Sequence, residues 1–117
     1  MGVTYLEGIA IGPVGEQASV EFLVDGGATY TLLPHQVWQQ IGLTPRRSMR
    51  FRLADGTAME RSLSECQIRL PQGEGHTPVI LGEEGDTALL GAITLEEFGL
   101  VLNPFTRQLQ PMQMLLA

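Results

Sequence analysis

The sequence is poor in cysteine, in positive charge and in long apolar runs. Its 117 residues include a single cysteine, Cys66, so no disulfide can form within the chain and nothing points to an oxidising compartment. Seven basic residues against thirteen acidic ones give a net charge of −6, which argues against nucleic-acid binding because such proteins usually carry a basic face. No apolar run is long enough to span a membrane, and Glu7 interrupts the opening segment where a signal sequence would have its apolar core. We therefore expect no nucleic-acid or membrane partner, and a cytoplasmic location unless the domain is excised from a longer protein.

Residues that usually bind metals or act as nucleophiles are also sparse. His35 and His76 lie far apart in the chain and lack ligand-like spacing, so we expect no metal site and no cofactor. Cys66 lies in a strand-like run, which favours a small buried hydrophobe over a reactive thiol. The one basic cluster lies between positions 46 and 52, and we interpret it as a solvated strand edge or turn rather than a phosphate site.

Short strands and turns dominate the rest of the chain. An apolar content of 44% and a charged content of 17% fit one ordered domain, residues 1–117. Alternating residues before Asp55-Gly56 and a strand after it predict a hairpin. The other predicted elements include a helix over His35–Ile41, separate strands over Thr57–Leu63 and Glu65–Leu70, a loop over Pro71–Thr77, and a short helix with Thr94 as its N-cap. This pattern predicts an all-β fold, a small closed or partly closed β-barrel with one or two short helices.

One stretch places a carboxylate at a rigid position. Residues 20–24 read as an apolar strand, Asp25 follows it directly, and Gly26-Gly27 then break the strand. A charge directly after a buried strand is unfavourable unless it is paired or hydrogen-bonded, and two glycines indicate unusual backbone angles or a close approach of other atoms. Asp25 is therefore the predicted chemical centre. From the residues alone, the alternative is a turn aspartate that caps its own loop.

The order of these signals resembles the retropepsin-like aspartic proteases, the single-domain relatives of pepsin that include retroviral proteases. In that family the active loop reads Asp-Thr-Gly-Ala or Asp-Ser-Gly-Ala, and here the loop is Asp25-Gly26-Gly27-Ala28, followed by Thr29. The flap hairpin of the family would be Phe51 to Arg61, with Ala54-Asp55-Gly56-Thr57 at its substrate-binding tip. The family's apolar-apolar-glycine signature, which supports the active loop, would be Leu89-Leu90-Gly91.

The resemblance implies an aspartic endopeptidase that acts as a homodimer on peptide or protein substrates. Aspartic proteolysis needs two carboxylates that share one proton around a water molecule. The chain offers one such residue, so the second would be Asp25 of an identical subunit across a two-fold axis. The flap would cover the cleft and bind an extended peptide. A second candidate in the chain, Asp86-Thr87-Ala88, resembles Asp-Thr-Gly but has alanine in place of the glycine.

Gly26 departs from the family pattern. The family has a hydroxyl residue at this position, whose side chain hydrogen-bonds across the dimer axis and stiffens the two active loops. Glycine lacks that group and adds backbone freedom, so a looser pair of carboxylates should lower activity. A peptide-binding or dimerisation module with weak or absent catalysis therefore stays open as an alternative function, and so does a structural β-domain of a larger protein.

Overall fold

A computed structural model describes residues 3–116, and this part of the chain contains nine strands and two short helices. In chain order they are β1 (Tyr5–Ile11), β2 (Gln17–Val24), β3 (Thr31–Leu33), α1 (His35–Gln40), β4 (Arg47–Arg52), β5 (Ala58–Leu70), β6 (Gly73–Leu81), β7 (Leu89–Leu90), α2 (Ala92–Glu97), β8 (Leu100–Leu102) and β9 (Leu109–Pro111). Neither helix of residues 3–116 has the length and apolar character needed to span a membrane.

Six strands form a ring. The strands pair in the order β1-β2-β7-β3-β6-β5-β4, and β1 also pairs with β5, for example through Ala10 and Ile68. The extra pairing closes β1, β2, β7, β3, β6 and β5 into a ring and leaves β4 on the outer edge of β5. The pairs β2–β7 and β3–β6 are parallel, and the hairpin β8–β9 is a separate two-stranded sheet. The predicted all-β barrel with short helices is confirmed.

Alternation along the ring strands fills the barrel with apolar side chains. In β2, Ala18, Val20, Phe22 and Val24 are buried, while the residues between them are exposed or half-buried. Full burial of a side chain such as Phe22 stabilises the fold by about 1.5–3 kcal/mol relative to exposure. Val24 is the last residue of β2 and is buried in the core, so the position of the next residue, Asp25, is fixed.

The predicted division of β5 is wrong. Thr57–Leu63 and Glu65–Leu70 were expected as two strands, but Ala58–Leu70 is one continuous strand. Its first half pairs with β4 up to Leu63, and its second half pairs with β6 from Leu63 onward. One strand therefore runs from the β4–β5 hairpin into the barrel, and the change of partner at Leu63 breaks the alternation that the sequence would otherwise show.

The predicted loop over Pro71–Thr77 is also wrong for most of its length. Only Pro71 and Gln72 form the turn, and β6 begins at Gly73. Gly75 lies inside this strand, and glycine suits the position because a Cβ atom there would come 3.0 Å from Cε1 of Phe98. The glycine accommodates an aromatic ring that follows α2, and it does not mark a loop.

The predicted capping role of Thr94 is wrong as well. Helix α2 begins at Ala92 after Gly91, and its N-terminus has no side-chain cap. Thr94 lies fully buried in the helix, where its hydroxyl bonds the hydroxyls of Thr31 and Thr77. A buried hydroxyl needs hydrogen-bond partners such as these. Because both partners are far from Thr94 along the chain, no local sequence pattern predicts the contacts.

Candidate active site

Asp25 lies where β2 leaves the barrel. Val24 pairs with Leu90 of β7, and the backbone N–H of Asp25 donates to the carbonyl of Leu90 at 3.2 Å. The half-buried Asp25 side chain accepts a hydrogen bond at Oδ1 from the N–H of Gly27 at 2.9 Å, and the Asp25 carbonyl accepts one from Ala28 at 3.1 Å. A buried strand, its parallel neighbour and a tight turn thus fix one carboxylate at the surface.

The two glycines of this loop have different surroundings. A Cβ atom on Gly27 would come 3.3 Å from Oδ1 of Asp25, so a side chain there would crowd the carboxylate. A Cβ atom on Gly26 would meet nothing within 4 Å, and Gly26 does not adopt the left-handed backbone that excludes larger residues. Position 26 therefore has space for a side chain within the subunit, whereas position 27 has little.

The predicted support residues Leu89, Leu90 and Gly91 lie directly beneath the loop. Leu89 pairs with Leu23 of β2 and with Leu32 of β3, so β7 lies between the strands on either side of the loop. At Gly91 the backbones are in close contact, because a Cβ atom would lie 2.5 Å from both the carbonyl carbon and the oxygen of Tyr30. Only glycine allows this approach without a shift of the loop.

The first turn of α2 holds the loop through its free backbone donors. The N–H of Ala92 donates to the carbonyl of Ala28 at 2.8 Å, and the N–H of Ile93 donates to the carbonyl of Thr29 at 2.9 Å. The first N–H groups of a helix have no carbonyl partner within the helix, and here the carbonyl groups of the Asp25 loop accept their hydrogen bonds. The structure thus brings Asp25, Gly26, Gly27, Ala28 and Thr29 together with Leu89, Leu90 and Gly91 in one bonded unit.

A buried cluster of three threonines, which no sequence pattern predicted, completes this unit. Thr31 Oγ1 accepts a hydrogen bond from the N–H of Gly91 at 3.0 Å and also bonds the hydroxyl of Thr94. Thr77 bonds the same Thr94 hydroxyl at 2.8 Å. The only sequence signal was the presence of hydroxyl residues within apolar runs, which does not say that the three of them meet.

The predicted flap is the hairpin β4–β5. The N–H of Leu53 donates to the carbonyl of Thr57 at 2.7 Å, and Gly56 adopts a φ of 90° in the turn. Oδ1 of Asp55 accepts the N–H of Thr57 at 2.8 Å, and the hydrogen bonds with Thr57 lower the pKa of Asp55. Ala54, Asp55, Gly56 and Thr57 are all exposed, and in residues 3–116 no hydrogen bond joins them to Asp25.

The base of this hairpin does contact the active loop. The rings of Tyr30 and Phe51 meet edge to face, with their centroids 5.8 Å apart and their planes at 89°. Such a pair contributes about 0.5–1.5 kcal/mol beyond its buried area. Phe51 therefore connects the hairpin strand β4 with the loop that carries Asp25.

A groove of about 410 Å³ opens beside Asp25. It is lined by Val3, Thr4, Leu23, Val24, Asp25, Leu102, Pro104 and Arg107. Asp25 is the one carboxylate lining this groove within the described residues, and most of its other walls are apolar. The groove thus combines a single carboxylate with mostly apolar walls.

The second candidate, Asp86, is engaged elsewhere. Its Oδ2 accepts a hydrogen bond from Arg61 at 2.8 Å and another from the N–H of Glu83, also at 2.8 Å. The side chains of Arg61 and Asp86 are 14% and 27% exposed. Partial burial would raise the pKa of Asp86, but the hydrogen bonds from Arg61 and Glu83 and the charge of Arg61 together lower it. Asp86 is therefore a structural ion-pair partner that connects β5 with the loop before β7.

This ion pair gives a prediction about acid stability. Because the pKa of Asp86 is lowered in the folded protein, its contribution is complete above the ordinary value of 3.8 and is lost as the pH falls through the folded value. Asp86→Asn should lower the free energy of unfolding at neutral pH by about 1–2 kcal/mol, since Arg61 keeps its charge but loses its partner. It should also flatten the fall in stability between about pH 5 and pH 2. Urea denaturation across this range measures both effects.

The matched control is Glu84→Gln, which removes an exposed carboxylate from the same loop. It should follow the wild-type pH profile. An Asp86→Asn profile that runs parallel to wild type would show that the ion pair does not govern acid stability.

Cys66 is buried, as predicted, and burial raises the pKa of its thiol to about 12. The thiol therefore stays protonated at physiological pH and does not act as a nucleophile. Within residues 3–116, no three histidine, cysteine, aspartate or glutamate side chains are grouped in a way that could hold a metal ion.

Comparisons with known proteins point to one family. A protein-family model described as "gag-polyprotein putative aspartyl protease" matches residues 12–97, which is most of the chain and includes the Asp25 loop and Gly91. No curated protein sequence matches this chain.

Solved structures show the same fold. The solution structure of the simian foamy virus (mac) protease is 16% identical, has a TM-score of 0.56, and the match covers 80% of this chain and 92% of that one. The crystal structure of a retropepsin-like aspartic protease from Rickettsia conorii is 20% identical, with a TM-score of 0.51 and coverage of 88% and 89%. At these identities the likeness establishes a shared fold.

Proposed function

This chain belongs to the gag-polyprotein aspartyl protease family, and on that basis we propose that it is an aspartic endopeptidase that acts as a homodimer. The observation that carries the proposal is the placement of Asp25 at the end of β2. There its carboxylate accepts the Gly27 N–H, and its backbone bonds Leu90. Asp25 from each subunit would form the catalytic pair, which titrates as a unit in which the two groups share one proton.

In the proposed reaction the two carboxylates have different tasks. The ionised member accepts a proton from a water molecule as the water oxygen attacks the carbonyl carbon of the peptide bond. The protonated member donates a hydrogen bond to the carbonyl oxygen, where negative charge develops. The carboxylate that took the proton from water then gives it to the peptide nitrogen, the C–N bond breaks, and the products are a carboxylic acid and an amine. Net consumption is one water molecule, so no cofactor is required.

Exposed apolar residues on the Asp25 side of the subunit support the homodimer. Val3 lines the groove beside Asp25 with 64% of its surface exposed. Val101 and Phe105 are the chain neighbours of the groove residues Leu102 and Pro104, and they are 38% and 93% exposed. Large apolar groups left in water at one end of a small domain favour association, and a two-fold axis through this end would bring two Asp25 loops together.

The flap would close the cleft over the substrate. Its tip, Ala54 to Thr57, is exposed and bonds within its own hairpin, so its outward backbone groups are free to bond an extended peptide. The contact between Tyr30 and Phe51 keeps the base of the flap beside the active loop. Closure would exclude water other than the attacking molecule.

The proposal is tested by cleavage and by oligomeric state together. The protein should cleave members of a quenched-fluorescence peptide library at mildly acidic pH, and analytical ultracentrifugation should show a dimer under the same conditions. A monomer that does not cleave would favour the structural β-domain. A dimer that binds peptides without turnover would favour the second candidate function, a peptide-binding module, for which the absence of a hydroxyl at Gly26 is the supporting observation.

Gly26→Thr is the variant that separates a weak protease from an inactive one. Because position 26 has open space and an ordinary backbone conformation, we expect the free energy of unfolding to change by less than about 0.5 kcal/mol. The added hydroxyl should restrain the carboxylate pair across the axis and raise kcat by roughly tenfold or more, since small errors of position reduce rates strongly. Library cleavage rates measure the effect.

The control for this variant is Gly26→Val, which has nearly the same shape as threonine but no hydroxyl. Valine should leave kcat near the wild-type value. An equal gain from both substitutions would assign the effect to reduced backbone freedom, and no gain from either would contradict the proposed role of position 26.

A further inference from the structure

The positive charge of this protein is concentrated in one short segment of the chain. All seven basic residues are arginine, and four of them lie between positions 46 and 52, a segment without an acidic residue. The remainder of the chain has three arginines and thirteen acidic residues. An acidic ligand is therefore repelled by most of the surface and attracted by this segment.

Strand β4, which carries three of these four arginines, has an open edge. It pairs with β5 alone among the strands of residues 3–116 and lies at the end of the sheet. The N–H of Leu53 donates to the carbonyl of Thr57 in β4's partner arm of the hairpin. In an antiparallel pair, backbone groups bond the neighbouring strand at every second residue. Phe51, which is opposite Met59, therefore directs its backbone N–H and carbonyl toward β5. The backbone groups of Arg50 and Arg52 consequently point away from β5, toward solvent.

The two faces of β4 differ in character. Arg50 and Arg52 lie on one face and are exposed, whereas Met49 and Phe51 lie on the other and are half-buried. A strand added at this edge would place alternate side chains beside two guanidinium groups and beside two apolar groups.

We propose that the open edge of β4 binds an extended peptide segment in which acidic and apolar residues alternate. Backbone hydrogen bonds to Arg50 and Arg52 supply affinity, as in other cases of strand addition. The guanidinium groups of Arg50 and Arg52 bind the acidic side chains of the peptide. On the other face of the strand, Met49 and Phe51 contact its apolar side chains. Phe51 and Arg52 also belong to the proposed flap, so the bound segment would lie along the edge of that hairpin, and its binding does not require cleavage at Asp25.

The protein's own carboxylates leave most of this charge unneutralised. Glu60 is opposite Arg50 in the hairpin, but no ion pair between them forms within 4 Å in the described residues. Arg46 approaches Glu65 at 3.8 Å, with both side chains about two-thirds exposed, at 66% and 62%. Arg52 bonds the carbonyl of Gly56 at 3.2 Å, which orders its side chain and leaves its charge available. An exposed arginine gains more from a carboxylate partner than from water or a neutral carbonyl.

Binding is measured with the Asp25→Asn protein, so that the result does not depend on catalysis. The probe is a fluorescent peptide of about ten residues with alternating glutamate and valine, and its matched control has glutamine in place of every glutamate. The double variant Arg50→Gln/Arg52→Gln should weaken binding of the acidic peptide by about tenfold, and each single variant by about two- to fivefold. Arg69→Gln, which removes an exposed arginine from β5, should change the affinity by less than about twofold.

The strand-addition geometry has its own readout. Acidic peptides with N-methyl groups on alternate residues keep their charge but lose backbone donors, so one of the two methylation registers should abolish binding. Equal affinity for the glutamate and glutamine peptides, or an unchanged affinity in the double variant, would overturn the proposal and leave the arginines with a role in edge protection alone. Self-association of the protein that disappears in the double variant would also overturn it, because the occupant would then be a second copy.

Discussion

Asp25→Asn is expected to lower the rate of peptide cleavage on the order of a thousandfold or more. In the proposed dimer this substitution removes both carboxylates at once, so no group remains to take the proton from the attacking water. The amide oxygen of asparagine can still accept the Gly27 N–H, as Oδ1 does at 2.9 Å, so the loop should keep its shape. Initial rates on the peptide library at mildly acidic pH provide the measurement.

The matched control is Glu21→Gln, which neutralises an exposed carboxylate on the same strand. Its cleavage rate should stay within about twofold of wild type. Equal rates for wild type and Asp25→Asn would exclude the proposed mechanism, whatever the fold.

Mixed dimers test the need for two copies of Asp25 directly. When wild-type chains are refolded with a fourfold excess of Asp25→Asn chains, random pairing leaves about one fifth of wild-type chains with a wild-type partner. The rate per wild-type chain should fall by the same factor. A rate per wild-type chain that does not change would show that one subunit acts alone.

Local patterns predicted those parts of the site in which the residues are adjacent in sequence. A buried strand followed by Asp25 and two glycines identified the loop, and Asp55-Gly56 identified a hairpin whose turn has Gly56 at a φ of 90°. Resemblance to a family then connected this loop with Leu89-Leu90-Gly91, which the structure places beneath it through the bond from Asp25 to Leu90. The first two signals depend on residues within one turn or one strand, whereas the third depends on the order of motifs that the family shares.

The contacts that complete the site are non-local, and for that reason the sequence did not predict them. Thr31 and Thr94 are 63 positions apart, and their hydrogen bond depends on the packing of α2 against β3. Ring closure by β1 and β5 depends on register at residues 9–11 and 67–69, which no local pattern fixes. Thr94 was wrongly predicted as a cap because an N-cap threonine and a buried threonine can both occur near the start of a helix. The two roles differ in their tertiary contacts, which a sequence pattern does not contain.

Gly91→Ala is expected to destabilise the protein by about 3 kcal/mol, because overpacking against backbone leaves few ways to relax. The new methyl group would lie 2.5 Å from two backbone atoms of Tyr30 and 2.9 Å from the carbonyl oxygen of Thr29. Relief requires α2 and the active loop to separate, which would stretch the bonds from Ala92 to Ala28 and from Gly91 to Thr31. The midpoint of urea denaturation at matched protein concentration measures the loss.

Gly26→Ala is the matched control for this substitution, since it adds the same methyl group to the Asp25 loop at a point where nothing lies within 4 Å. Its unfolding midpoint should stay near wild type, and only Gly91→Ala should also lower the cleavage rate, by roughly a hundredfold for a displacement near 1 Å. Equal midpoints for the two variants would show that the loop yields without strain. In that case the contact at Gly91 could not be what holds Asp25 in place, and the rigidity of the carboxylate would have to come from the Gly27 N–H and the threonine cluster.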